Sequence, residues 1–242
     1  MLVHGYPLDG AMWSGVARLL SDRYRVLKLD LPGRGGTPSA EIPGIEAYAD
    51  FVEAVIRQAG EPVGLAGFSM GGYVALAVMK RHPSEIRALA LVDTKASADD
   101  EAGRAKRDEA IAKVGAEGVA PIADAMLGKL LAPSSASKAD LVERVRRIIL
   151  RQRPETVAAD LVAMKERPDS SASLREITVP TLVVVGDQDV LTPPADAQAM
   201  VDAVPGARLV TVPEAGHLTP VEQPKAVARA LSEFFGSTLP AR

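Results

Sequence analysis

Ser69 stands in Gly67-Phe68-Ser69-Met70-Gly71, in the middle of an uncharged run from Pro62 to Met79. A serine hydroxyl attacks a carbonyl only when a base takes its proton, and the base works best when a carboxylate orients it. The chain has three histidines and no cysteine, so the choice of base is narrow and a thiol nucleophile is excluded. His217, in "PEAGHLTPVEQP", follows a glycine in a loop and is the expected base. His82 precedes Pro83 at a helix end, where a capping role is expected, and His4 lies near the start in "VHGYP". Asp187 and Asp189 follow the apolar run "TLVVVG". Asp189 is the expected acid, Asp187 a residue that shapes the turn, and Asp93, closing "ALALVD", a rival for the acid. The chemistry on offer is acyl transfer through Ser69, His217 and Asp189.

A G-x-S-x-G alone carries little weight, since chance supplies about 0.1 of them in a chain of this composition. Its surroundings carry more. "PVGLAGF" reads as a short apolar strand and "MGGYVALAVMKRHP" as a helix stopped by Pro83, with Ser69 at the junction. A sharp strand-to-helix turn is the setting that exposes a serine oxygen, and the flanking glycines leave room for it. Gly64, Gly67, Gly71 and Gly72 also argue against a membrane helix over this run.

The same alternation recurs along the chain. Strands are expected in 24–33, 86–94, 179–189 and 207–217, and helices in 45–60, 195–204 and 224–236. Strands alternating with helices predict an α/β fold with a mostly parallel sheet covered on both faces. Residues 97–173 break the rhythm with helical periods only, as in "VAPIADAMLGKLL" and "ADLVERVRRIILRQR". The expected organisation is a core from 1–96 and 174–242 with a helical cap from 97–173. Within the cap, Arg144, Arg147 and Arg151 share a helical face and are expected to be a solvated face. Met126, Leu127, Leu130 and Met164 are its candidate substrate-binding residues, an aliphatic roof in a segment with no Phe, Tyr or Trp.

Bulk properties narrow the partners. The formal net charge is −3, with no basic tail, so neither nucleic acid nor an acidic membrane is expected. The absence of cysteine suits a reducing cytoplasm, and no secretory signal is visible at the start. No cofactor is expected: there is no G-x-x-x-x-G-K-[ST], and no close His/Asp cluster with metal-ligand spacing.

With these residues in place, the chain resembles the α/β-hydrolase superfamily along essentially its whole length, in particular small bacterial esterases, cofactor-free haloperoxidases (perhydrolases) and enol-lactonases. "HGYP" resembles the His-Gly loop of the oxyanion hole, "DLPGRGGTP" the Asp-x-x-Gly-x-Gly turn, "GFSMGG" the nucleophile elbow, "GDQD" the acid loop and "AGH" the base loop. The order Ser…Asp…His is the one this fold uses. The resemblance implies oxyanion donors at the backbone N–H groups of Tyr6 and Met70, while Pro7 has no N–H to give. It also implies hydrolysis of a small carboxylic ester or lactone, of short to medium acyl length with acyl-homoserine lactones included. The alternatives are a perhydrolase using the same three residues, or a small-molecule receptor on the same fold. One departure stands out. Such proteins carry further strands before the His-Gly loop, whereas here Met1-Leu2-Val3 alone precede His4. Either the fold does without the first two strands or the natural chain is longer than this one; a six-stranded sheet is expected here, with "YRVLKLD" at one edge and, at that edge, self-association as a homo-oligomer or reduced stability.

Overall fold

The computed structural model describes residues 1–39, 44–81 and 83–238; His82 lies outside the described residues. Six strands form one sheet: β1 (Leu2–Val3), β2 (Lys28–Leu29), β3 (Val63–Phe68), β4 (Ile86–Val92), β5 (Thr181–Gly186) and β6 (Arg208–Val212). Their spatial order is β2-β1-β3-β4-β5-β6, and every neighbouring pair is parallel. The central strands read as continuous apolar runs because both faces are covered, and β5 is buried at every position. β2 is shorter than its apolar run because its one ladder partner, β1, spans two residues.

The helices of the core are α1 (Ser14–Leu20), α2 (Ile45–Ala59) and α3 (Met70–Arg81), followed after β5 by α9 (Pro194–Ala203), α10 (Thr219–Glu222) and α11 (Pro224–Gly236). Helix α2 packs on α3 and α1 on α11, flanking the sheet. α2 ends where Gly60 takes the left-handed conformation, with φ 74°, the usual C-terminal stop. The chain runs from β1 out to β2, then returns past β1 to β3, so the strand order reverses between β1 and β3. Ligands of open parallel sheets bind outside the strand ends at such a point. The loops that leave β1 and β3 there begin with His4 and Ser69.

Between β4 and β5 the described residues form helices only: α4 (Glu101–Glu117), α5 (Ala120–Leu130), α6 (Pro133–Ala136), α7 (Ala139–Leu150) and α8 (Pro154–Glu166). Polar ties bind this helical layer to the body. Arg34, after β2, pairs with Asp160 of α8, and Tyr48 of α2 donates to the other Asp160 oxygen at 2.6 Å. Arg167 donates to Ser97 O and to Asp99, both at 2.8 Å, joining the two segments that enter and leave the layer.

The arginine face of α7 is solvated as expected. Arg144, Arg147 and Arg151 are all exposed, Arg147 with 73% and Arg151 with 51% of the side chain accessible. Arg151, just past α7, donates to Asp9 at 2.6 Å, and Arg144 reaches Val221 O at 3.4 Å. Helical spacing places the three on one exposed face, and the residues at its two ends also reach acceptors on the body.

Candidate active site

Ser69 sits between β3 and α3 with φ 51°, a left-handed conformation that costs a non-glycine residue on the order of 1–3 kcal/mol. The surroundings hold it. Its N–H donates to Val92 O at 3.0 Å, and the Thr94 hydroxyl donates to its carbonyl at 2.8 Å. The turn also needs bare backbone on both sides. A Cβ on Gly67 would fall within 3 Å of the Gly71 and Gly72 backbone, and one on Gly71 within 3 Å of the carbonyls of Val3 and His4.

The base loop follows β6 and the acid loop follows β5, so adjacent parallel strands deliver both to the same end of the sheet. His217 Nε2 lies 2.9 Å from Ser69 Oγ, and His217 Nδ1 lies 2.8 Å from Asp189 Oδ2. His217 and Asp189 are both 3% exposed, and the Phe68 ring lies 5.2 Å from the imidazole. Asp189 accepts further bonds from the N–H groups of Leu191 and Thr192 and from the Thr192 hydroxyl, at 2.7–3.0 Å. Burial alone would raise its carboxyl, but the charge and hydrogen bond of His217, with the Thr192 bonds, outweigh it and hold Asp189 below the usual carboxylate range. An ionised Asp189 fixes the imidazole with its proton on Nδ1, leaving Nε2 to accept from Ser69.

The loop after β1 lies against the serine. A Cβ on Gly5 would sit 2.9 Å from Ser69 Cβ and 2.8 Å from the Phe68 ring, so only glycine brings the backbone this close. His4 is fully buried, and its Nε2 accepts the Leu31 N–H at 3.1 Å. That requires the proton on Nδ1, which faces Gly5 O at 3.0 Å. Burial lowers its pKa, which keeps the ring neutral as this pattern demands. Tyr6 and Met70 follow Gly5 and Ser69, and Met70 is the first residue of α3, where an N–H has no intrahelical acceptor. Among the described residues no protein acceptor is recorded for either N–H. Both N–H groups belong to residues next to Ser69 or next to Gly5, which lies against it.

The other carboxylates take separate places. Asp187 is exposed and accepts the Ala215 N–H at 3.2 Å, steadying the base loop from outside. Asp93 has no bond to His217; its oxygens take the Gly186 N–H and the Thr219 N–H and hydroxyl. Glu222, which sequence reasoning did not single out, accepts the N–H groups of Gly216, Leu218 and Ala132. Thr192 was also missed. Its nearness in sequence to Asp189 was the available signal.

The four roof candidates separate. Met126 and Leu127 of α5 are half-buried. Leu130 is 0% exposed, and its carbonyl accepts the Leu218 N–H at 3.0 Å. Met164 of α8 is buried within the core cluster. Through that bond Leu130 joins the helical layer to the loop carrying His217, and Met126 and Leu127 are the more accessible of the four.

The chain is similar to known proteins in sequence and in fold. A family model described as the alpha/beta hydrolase family matches residues 1–230. The pimeloyl-[acyl-carrier protein] methyl ester esterase of Nitrosomonas europaea is 28% identical over 226 residues, 90% of this chain and 87% of that one. The enzyme of the same name from Neisseria meningitidis serogroup A is 30% identical over 98% of this chain and 77% of its own. Among solved structures, a thermophilic esterase from Thermogutta terrifontis, with malate bound, superposes with a TM-score of 0.94 at 37% identity, covering 98% of this chain and 88% of that one. The enol-lactonase of Burkholderia xenovorans follows at 0.90 and 26%, covering 97% and 90%. On the family match along nearly its whole length, the chain belongs to the alpha/beta hydrolase family.

Proposed function

We propose that Ser69, His217 and Asp189 hydrolyse carboxylic esters through an acyl-enzyme. That the chain is a carboxylic-ester hydrolase follows from the family match and from its esterase relatives; the residues and substrates are our reading. The observation that supports it most is the unbroken line from Ser69 Oγ through the His217 ring to Asp189, 2.9 and 2.8 Å at its two links. Ser69 attacks the carbonyl as Nε2 takes its proton, and the imidazolium is stabilised by Asp189. The N–H groups of Tyr6 and Met70 receive the oxyanion. His217 then returns the proton to the leaving alcohol, and water, activated by the same ring, frees the acid.

The proposed substrates are small: esters of short to medium acyl chains, methyl esters among them, and lactones, acyl-homoserine lactones included. Met126 and Leu127 form the accessible part of an aliphatic roof backed by Leu130 and Met164, in a cap that we take as 97–173. Each buried methylene contributes about 0.8 kcal/mol, so activity should rise over a few carbons and collapse once the space is full. The experiment is kcat/KM for p-nitrophenyl esters from acetate to palmitate, with benzoate and two lactones. An optimum at palmitate or benzoate contradicts the roof; no turnover of any ester contradicts the hydrolase and favours a receptor.

No helix among the described residues is long and apolar enough to cross a membrane. The proposal places the enzyme in the cytoplasm, on its lack of cysteine. It also includes self-association along the outer edge of β2, which sedimentation velocity tests; a monomer at every concentration removes it.

A further inference from the structure

We propose that Glu222 is a positioning residue for His217, and that through it the 130–132 segment of the helical layer is held in register with the base loop. The proposal rests on the reading of Ser69 and His217 as the reacting pair. Glu222 ends α10 and is 8% exposed. Its Oε1 accepts the N–H of Gly216 at 2.9 Å and of Leu218 at 3.2 Å, the residues on either side of His217. Its Oε2 accepts the N–H of Ala132 at 2.8 Å. One carboxylate therefore holds the residues on both sides of the base and ties them to the loop after α5.

The two backbones are in direct contact there. A Cβ on Gly216 would lie 2.6 Å from Ala132 N and 2.8 Å from the Leu131 carbonyl carbon. The Leu218 N–H is shared between Glu222 and Leu130 O, the latter at 3.0 Å. With Gly216, Leu218 and Thr219 all anchored, the His217 ring starts from a fixed Cα and has only its own two torsions to settle. The 2.9 Å approach to Ser69 depends on that.

The site needs a group that only accepts. Three N–H donors converge on Glu222, and an ionised carboxylate satisfies all of them. An amide of the same shape must turn its NH2 toward at least one of these N–H groups. Glu222→Gln therefore keeps the volume and breaks the clamp, while Glu222→Ala removes it.

The test uses purified wild type, Glu222→Gln and Glu222→Ala, with p-nitrophenyl acetate as substrate. Two further readouts are the thermal midpoint and the downfield proton resonance of the His217 Nδ1–H that donates to Asp189. A misplacement of about 1 Å costs on the order of 10²-fold in rate, so kcat should fall by about that much in the glutamine variant, with KM changed far less. The resonance should shift or broaden at temperatures well below the midpoint. Folded variants with wild-type kcat and an unchanged resonance, merely melting earlier, overturn the positioning role. If wild type itself shows no Ser69-dependent turnover, the catalytic reading fails, and the resonance alone decides the role of Glu222.

Discussion

Asp93 accepts hydrogen bonds from both the N–H and the hydroxyl of Thr219, two residues beyond His217, the hydroxyl at 2.5 Å. Its other oxygen takes the Gly186 N–H at 3.0 Å, so one buried side chain laces the end of β4 to the acid and base loops. Burial first, then repulsion from Asp189, raises its carboxyl well above the usual range. The native state thus keeps a proton that the unfolded chain loses near pH 3.9, and stability falls as pH rises from there through the native value. Asp93→Asn carries no such charge. Urea midpoints of both proteins from about pH 4 to about pH 8 should show a wild-type decline that the variant lacks. Parallel curves would contradict the assignment.

Which aspartate serves His217 is tested separately. Asp189→Asn should lower kcat by on the order of 10³–10⁴, because the amide stabilises the wrong tautomer of the ring. Asp93→Asn should keep most of the rate. The reverse ranking would make Asp93 the acid.

Gly5 and Ser69 leave no space between them. Gly5→Ala places a methyl group 2.9 Å from Ser69 Cβ and from Phe68 O, so the loop carrying Tyr6 must retreat. Losing one oxyanion donor costs about 10²–10³ in kcat, and a loss of that order in kcat, with KM little changed, is expected. A variant as fast as wild type would show that the Tyr6 N–H takes no part.

Arg34 and Asp160 are both buried, with side-chain exposures of 1% and 2%. Removing one partner strands the other charge, so Asp160→Ala should destabilise by about 3–5 kcal/mol in chemical denaturation. The double variant Asp160→Ala with Arg34→Met should recover part of that. A loss below about 1 kcal/mol would mean that the pair is effectively solvated.

Much of the frame could be read in the sequence, since "TLVVVG" and "ALALV" are uncharged runs that form buried strand segments. Ser69, Asp189 and His217 stood out because tight turns after strands have a local signature, and the structure brings them within hydrogen-bonding distance. Helix α4 was legible only as part of a helical segment, because it buries Val114 alone and has no apolar stripe. The place of Glu222 could not be read locally. Its third donor, Ala132, is 90 positions away, and nothing near Glu222 in sequence announces it. The partner of the exposed Arg151 was out of reach for the same reason, Asp9 being 142 positions distant.

The central claim is that the Ser69 hydroxyl forms the acyl-enzyme, and the most direct measurement is kcat for p-nitrophenyl acetate in Ser69→Ala beside wild type. A drop of roughly 10⁴–10⁶ is expected, since the three residues act as a unit. A Ser69→Ala enzyme within about tenfold of wild type would contradict the account.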